Sequence, residues 1–268
     1  MSLQLHSTSI VSSTSSIGDN SVIGPYAIIE DGVVIGENCE IESHAIIKKG
    51  TIIGSRVRVG HFSVLGGDPQ FLEFDRSTIS KVEISDDVRI GESVTIHRSI
   101  YQEGITKVGY GCFLMGNSHV GHDGNLGNQI ILANGALLGG HVTVGNFSFI
   151  GGGAGVHQFS RIGQGVMVGG LAEISKDVPP CIVVAGRNQA CGLNLTGLKR
   201  RNISSDEIKA LKKVYKLILM KKGNPLVLAK KCLEQELIGG KKLAKEFSEF
   251  FLSGKRGFVR SKSVVEKN

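Results

Sequence analysis

Aliphatic residues recur along this chain at every sixth position. Steps of six from Val11 land on Ile17, Ile23, Ile29, Ile35, Ile41, Ile47, Ile53, Val59 and Leu65. The register lapses after Gly66 and resumes at Ile84, Ile90 and Ile96. It lapses again, then holds from Val108 to Ile174. All 25 landings are branched aliphatics. The next residue is often glycine, and the fourth one on is small or modest, as at Ser21, Ala27, Cys39 and Ser63. Neither the 3.6 period of a helix nor the 2 period of a strand fits this pattern. A hexapeptide period is the signature of a parallel β-helix. Three hexads close one triangular coil. The aliphatic points inward, the small residue fills the corner, and the glycine is expected to permit the tight turn between faces. About eight coils at ~4.8 Å each give a prism roughly 40 Å long.

Two stretches leave the period, Gly67–Val82 and Ser99–Lys107, and are expected to loop out. Loops on a rigid frame often carry function. The prism is expected to end near Asp177–Pro180, because two prolines halt strand pairing. After Gly197–Arg201 the pattern turns helical. Ser205-Asp206-Glu207 reads as a helix start, with Ile208, Leu211, Val214, Leu217 and Ile218 on one face. Gly223-Asn224-Pro225 ends that helix, and two more are expected near 225–237 and 241–252. The closing stretch from Ser261 reads as a frayed tail. The division is thus a β-helix over 1–190 and a small α-helical domain with a basic tail over 191–268.

Charge separates the same two parts. Residues 1–198 carry a net −5 and residues 199–268 a net +12. The second part attracts anions. Few aromatics interleave its cations, so nucleic acid is not the expected partner. A phosphate-bearing small molecule or an acidic protein suits the charge, and a solvated helical face is the plain alternative. The five cysteines are odd in number and form no C-x-x-C, which points to a reducing compartment. No run approaches ~20 apolar residues, and the start lacks the layout of a secretory signal. A cytoplasmic protein without a membrane span is expected.

Candidate chemistry gathers on the later coils. Residues separated by three hexads stack, so His122, Gly140 and Gln158 should form one column. His141 and His157 flank it, and His119 lies one coil below Leu137. His6, His44 and His61 lie elsewhere. A histidine can take a proton near neutral pH. Asp123 could fix its tautomer, the Gly140 N–H is free to approach an oxyanion, and Gln158 offers an amide. Outward positions of any such repeat are polar, so a non-catalytic scaffold is the alternative from another class. A zinc site of His119, His122 and His141, as in trimeric hexapeptide-repeat carbonic anhydrases, is a further one.

The segments "GNSHVGHD", "LLGGHVTVGNFSFIGGGAGVHQF", "VMVGG", "KDVPP" and "GLKRR" together resemble the UDP-N-acetylglucosamine acyltransferases of lipid A biosynthesis. The likeness covers nearly the whole chain. It implies a left-handed β-helix, although the usual crossover rule favours the right hand. It implies transfer of a 3-hydroxyacyl chain from acyl carrier protein to the 3-position of UDP-N-acetylglucosamine, by a cytoplasmic homotrimer with no metal or other cofactor. In that reading His122 is the general base, Asp123 orients it, and the Gly140 amide stabilises the oxyanion. His119, His141, His157 and Gln158 contact substrate, while Asn194, Arg200 and Arg201 hold the nucleotide. Gly170 matches the position that sets acyl length, and glycine there implies a longer chain. The chain departs from the family at Phe71-Leu72-Glu73, where Asp-Leu-Lys is common, and at Thr196, where some members carry Glu. These departures leave open a 3-amino sugar as acceptor, and an acyl-CoA donor is the companion alternative.

Overall fold

The computed structural model describes residues 3–234 and 238–261. Short strands, most of them two residues long, line up in three parallel sheets. Each strand pairs with the one three strands later, as in a triangular coil. Ile28 pairs with Ile46, and Ile46 with Val64, each step being three hexads. One sheet runs from Gln4–Leu5 to Met167–Val168 and beyond. We call it the first face. The second runs from Ile10–Val11 to Glu173–Ile174, and the third from Ser16–Ile17 to Arg161–Ile162. The aliphatic landings fill the interior from Ile23 onward, almost without exposure, and the fourth residues Ala27, Val33, Cys39 and Ala45 are buried with them.

The glycine that often follows the aliphatic does not generally serve the turn as expected; Gly66, with φ +84°, is an exception. The left-handed conformation falls two positions later, once per hexad. Non-glycine residues commonly hold it, among them Asn20, Tyr26, Asn38, His44, Asp123 and His141. The glycine is required for another reason. A Cβ at Gly36 would lie 2.7 Å from the Gly54 carbonyl carbon, so a side chain there would force the backbone to shift.

Both insertions leave the prism at the corner where the second face passes to the third. Val64 pairs with Thr95, and Thr95 pairs with His119, and each of these steps is longer than three hexads. The loops are shorter than the lapse in period suggests. Gly67 belongs to the strand Val64–Gly67, Lys81 and Val82 to Lys81–Ile84, and residues 105–107 to Ile105–Val108. Because both loops re-enter at one corner, these last two strands pair along their whole length in matching register.

Pairing also continues past the two prolines. Ile182–Ala185 adds to the first face in parallel, and Gln189–Leu193 then turns back against it. Pro180 follows the bridge between Ile162 and Val178, so its missing N–H falls at a corner rather than within a ladder.

Among the described residues four α-helices follow. α1 (Leu195–Arg200) was not legible in the sequence, and α2 (Ser205–Leu219), α3 (Pro225–Glu234) and α4 (Lys242–Glu249) were. Ser204 caps α2 by accepting from the Glu207 amide. Leu211, Val214 and Ile218 are buried as expected, joined by Tyr215 and Leu219, while Ile208 and Leu217 are half-buried. The turn Phe250–Leu252 extends α4, and Phe247, Phe251 and Phe258 pack in a cluster. The chain then returns to the prism, where Arg260–Ser261 pairs with Gln189–Leu193. The fully buried Asp177 accepts from the Arg161 amide and guanidinium, and its own amide donates to the Gly257 carbonyl. The end of expected helix 225–237 and the expected tail beyond Ser261 lie outside the described residues.

Candidate active site

The corner at 121–124, between the second and third faces, sits directly above both loops. Its backbone leaves the inward-pointing Val120 and turns at Asp123, which has φ +59°. That turn throws the Asp123 carboxylate back onto the preceding imidazole. His122 Nδ1 lies 2.8 Å from Asp123 Oδ2, and both side chains are nearly enclosed. Among the described residues Nε2 has no hydrogen-bond partner, which leaves it free to act.

Asp123 is fixed from several sides. The buried Ser99 hydroxyl donates to Oδ1, and the Ile100 amide donates to Oδ2 at 3.2 Å. Its own amide donates to Thr106 Oγ1 at 2.8 Å. Burial pushes this carboxyl up, but the bonds from His122, Ser99 and Ile100 outweigh it and hold it below the usual carboxylate range.

The stacking of positions 122, 140 and 158 holds for the backbone. The His141 amide donates to the His122 carbonyl, and the Phe159 amide to the Gly140 carbonyl. A Cβ at Gly140 would lie 2.4 Å from His122 Nε2. Among the described residues the Gly140 N–H donates no hydrogen bond. The second residue of most corners has such a free amide; here it lies beside an imidazole. Gln158 continues the column, but its side chain is exposed and makes no hydrogen bond among the described residues.

His141 and His119 complete the cluster. The His141 ring meets that of His122 edge-on at 4.9 Å and stacks on Phe159 at 4.4 Å. Its Nδ1 is 4.0 Å from Asp123. Burial keeps it neutral to lower pH than an ordinary histidine, with Asp123 opposing and His122 reinforcing the effect. His119 Nδ1 is bound to Thr95 Oγ1 at 2.7 Å, and burial followed by His122 lowers its pKa too. His122, Asp123 and His141 lie within reach of one small cation, but the Nδ1 of His122 is engaged by the carboxylate. The expected zinc trio substitutes His119 for Asp123, and His119 is not in that group.

His97 belongs to the cluster and was not legible in the sequence. Its ring meets His119 edge-on at 4.9 Å, and Nδ1 is buried without a partner among the described residues. Burial, with His119 and His122 nearby, drops its pKa to about 4. Stepping back three hexads from His119 reaches Tyr101, because the second insertion hides the true partner coil. The usable signal was the resumed landing at Ile96.

The remaining candidates lie elsewhere on this chain. His157 is exposed and bonds Arg256 at 3.0 Å rather than joining the other rings. Gly170 occupies a corner between the first and second faces. A Cβ there would meet only the Gly152 carbonyl, at 3.4 Å, so the position opens outward. Asn194, Arg200 and Arg201 line a groove of about 640 Å³ along the first face, with Phe147, Phe149 and Met167. The Asn194 side chain caps α1 through the Gly197 amide and donates to the Gly165 carbonyl. The Arg201 guanidinium lies 5.0 Å from the Phe147 ring centroid, and Arg200 is exposed. The histidine corner does not line this groove. The histidine corner and the arginine groove are separate on this chain.

Comparison with known proteins identifies the family. Residues 177–259 match the family model described as UDP N-acetylglucosamine O-acyltransferase, domain 2. Residues 14–49 match bacterial transferase hexapeptide repeats. The UDP-N-acetylglucosamine acyltransferase from Campylobacter jejuni is 33% identical, with 97% of this chain and 100% of that one covered, at TM-score 0.89. The enzyme of that name from Francisella novicida is 33% identical over 98% of this chain and 96% of that one, at TM-score 0.93. A UDP-N-acetylglucosamine O-acyltransferase from Moraxella catarrhalis is 35% identical over 96% and 99%, at TM-score 0.90. A third of the residues shared over nearly the full length of each relative is a family relationship: the chain belongs to the UDP-N-acetylglucosamine O-acyltransferases.

Proposed function

We propose that this protein transfers a 3-hydroxyacyl chain from acyl carrier protein to the 3-hydroxyl of UDP-N-acetylglucosamine, the step that opens lipid A biosynthesis. The observation that carries it is the His122–Asp123 pair beneath a free Gly140 amide. Nε2 of His122 takes the proton of the sugar hydroxyl. The hydroxyl oxygen bonds to the thioester carbonyl carbon, and the Gly140 N–H stabilises the oxyanion. The tetrahedral centre collapses, the C–S bond breaks, and the protonated His122 returns its proton to the leaving thiolate. Asp123 keeps Nδ1 protonated throughout and offsets the charge of the imidazolium. His119, His141, His157 and Gln158 line the path of the substrates.

The working unit is a homotrimer in the cytoplasm; the separation of the histidine corner from the arginine groove on one chain supports sites shared between subunits. A neighbour would bring Asn194, Arg200 and Arg201 toward His122. Two guanidinium heads suit a diphosphate through charge-assisted, bidentate bonds. The basic segment beyond residue 198 serves two anions, the nucleotide and the carrier protein. The prism, up to about residue 190, is left-handed, and the described helices beyond it form a separate small domain. Gly170, opening outward, admits a long rather than a short acyl chain.

A second acceptor is favoured by one feature. Thr196 lines the groove of the arginine pair, and the exposed Phe71 and Glu73 lie on the loop below the histidine corner. That chemistry fits a 3-amino sugar, which would give an amide. Product mass spectrometry with UDP-N-acetylglucosamine and its 3-amino analogue, each with acyl carrier protein and acyl-CoA donors of several lengths, decides these points. No product from any pairing would remove the proposed activity.

A further inference from the structure

The two insertions meet behind the catalytic pair. Ser99 stands at the junction, fully buried. Its hydroxyl donates to Asp123 Oδ1 and accepts from the Tyr101 amide at 3.0 Å. Its carbonyl accepts from Ser80 Oγ at 2.7 Å, the last residue of the first loop. Its neighbour Arg98 gathers that same loop. The guanidinium bonds Asp68 at 3.1 Å, the Arg76 carbonyl at 3.2 Å and Ser80 Oγ at 3.3 Å. It also bonds the Thr78 carbonyl and lies 4.7 Å from the centroid of the Phe74 ring. Only 12% of its side chain is exposed. The loop therefore has a solid anchor at Arg98 and a direct link to the carboxylate through Ser80 and Ser99.

We infer that Ser99 is a positioning residue: it sets the Asp123 carboxylate against His122, and joins the 68–80 loop to that pair. This rests on the roles proposed above for His122 and Asp123. A carboxylate can bond an imidazole through either oxygen and can rotate about its Cβ–Cγ bond. The Ser99 hydroxyl takes Oδ1, which leaves Oδ2 for His122 and the Ile100 amide. The bond from Ser99 also draws negative charge away from Oδ2. Its removal leaves more charge facing His122 and favours the imidazolium. The other groups that face His122 are His141 above and His119 and His97 on the neighbouring strands, with Asp68 beyond His97. Ser99 bonds none of them directly; it reaches His141 only through Tyr101, whose amide it accepts and whose ring lies 5.8 Å from that of His141.

The test is Ser99→Ala in the full chain, with kcat, KM for both substrates and the pH dependence of kcat/KM. Loss of one hydrogen bond to a charged group predicts about a tenfold fall in kcat. Both KM values stay within about twofold, and the acidic limb of the profile moves to higher pH. Packing loss alone would not move that limb. A kcat within twofold of the parent with an unmoved limb overturns the inference, provided that His122→Ala and Asp123→Ala are both severely impaired. If those two variants also keep full turnover, the proposed catalytic roles fail instead. Should Ser99→Ala not fold, Ser99→Cys carries the test, since a thiol fills the place of the hydroxyl but is a much weaker donor to Asp123 Oδ1. It is expected to lower kcat about threefold with a limb shift in the same direction. Parental kcat and an unmoved limb in Ser99→Cys overturn the inference equally.

Discussion

Gly140 lies directly over the imidazole of His122, so close that a Cβ there would fall 2.4 Å from Nε2. The ring can face the substrate only because position 140 has no side chain. Gly140→Ala must push the imidazole aside or lift the coil above it. A misplacement on the order of 1 Å lowers turnover about 100-fold. Steady-state kcat should fall by that amount while the melting temperature changes little. A kcat within fivefold of the parent would contradict this close approach.

Asp123→Asn keeps the shape of the corner and removes the charge. The amide presents the wrong partner to Nδ1 and favours the other tautomer. A fall in kcat of about 10³-fold or more is expected, with a small change in KM. The wild-type carboxyl is held below its usual range, so it stabilises the fold above its unfolded pKa of about 3.9. That contribution is lost as pH falls through the lower folded value. Acid unfolding of the variant, followed by circular dichroism, should be less steep below about pH 4.

His97 should make the protein weaker in mild acid. Its folded pKa is about 4, against about 6.5 for an unfolded histidine. The unfolded chain then binds the extra proton first as pH falls. The contribution is whole above about pH 6.5 and is lost progressively toward pH 4, on the order of 2 kcal/mol. His119 and His141 act in the same sense. His97→Gln should flatten, without abolishing, the fall in melting temperature over that window. An unchanged slope would be evidence against a neutral, buried imidazole.

Arg201→Lys tests the nucleotide groove. Arg201 lies against Phe147 and within 3.7 Å of Cys181 Sγ, and its Nε is enclosed. A lysine ammonium cannot reproduce a planar fork. KM for UDP-N-acetylglucosamine should rise about tenfold, with kcat within about threefold of the parent. Equal affinity of variant and parent in titration calorimetry would exclude Arg201 from nucleotide binding.

Leu138→Ala tests the interior below the His141 corner. Leu138 is fully buried, and its removal should lower stability by about 2–5 kcal/mol. The midpoint of urea unfolding measures it. Residual activity at low temperature should persist, because the outward groups of the corner are not touched.

The prism was legible because its constraint repeats. Every hexad must send one aliphatic inward, so Ile29, Ile47 and Leu65 announce one another. The His122–Asp123–Gly140 arrangement followed from that period by stepping one full coil at a time. His97 escaped because an insertion separates it from His119, and fixed steps count through insertions blindly. The turn residues escaped too. Asn20, Tyr26 and His44 share a conformation but no chemistry, so composition could not mark them. α1, from Leu195 to Arg200, is too short for a periodic face. The distance between Arg201 and the histidine corner was hidden for a different reason: the two belong to different faces, which no local pattern relates.

Because nearly every rung is a pair of residues identical in outline to the next, length along this prism is quantised. Deleting one whole circuit below the loops, such as positions 22–39, would shorten the column by one rise and leave every outward group pointing where it did. Deleting a single hexad would swing everything beyond the cut through a third of a revolution and carry the imidazole to another side. Change in such a protein can therefore proceed by whole turns, or by loops that leave and return at one corner, as both insertions here do.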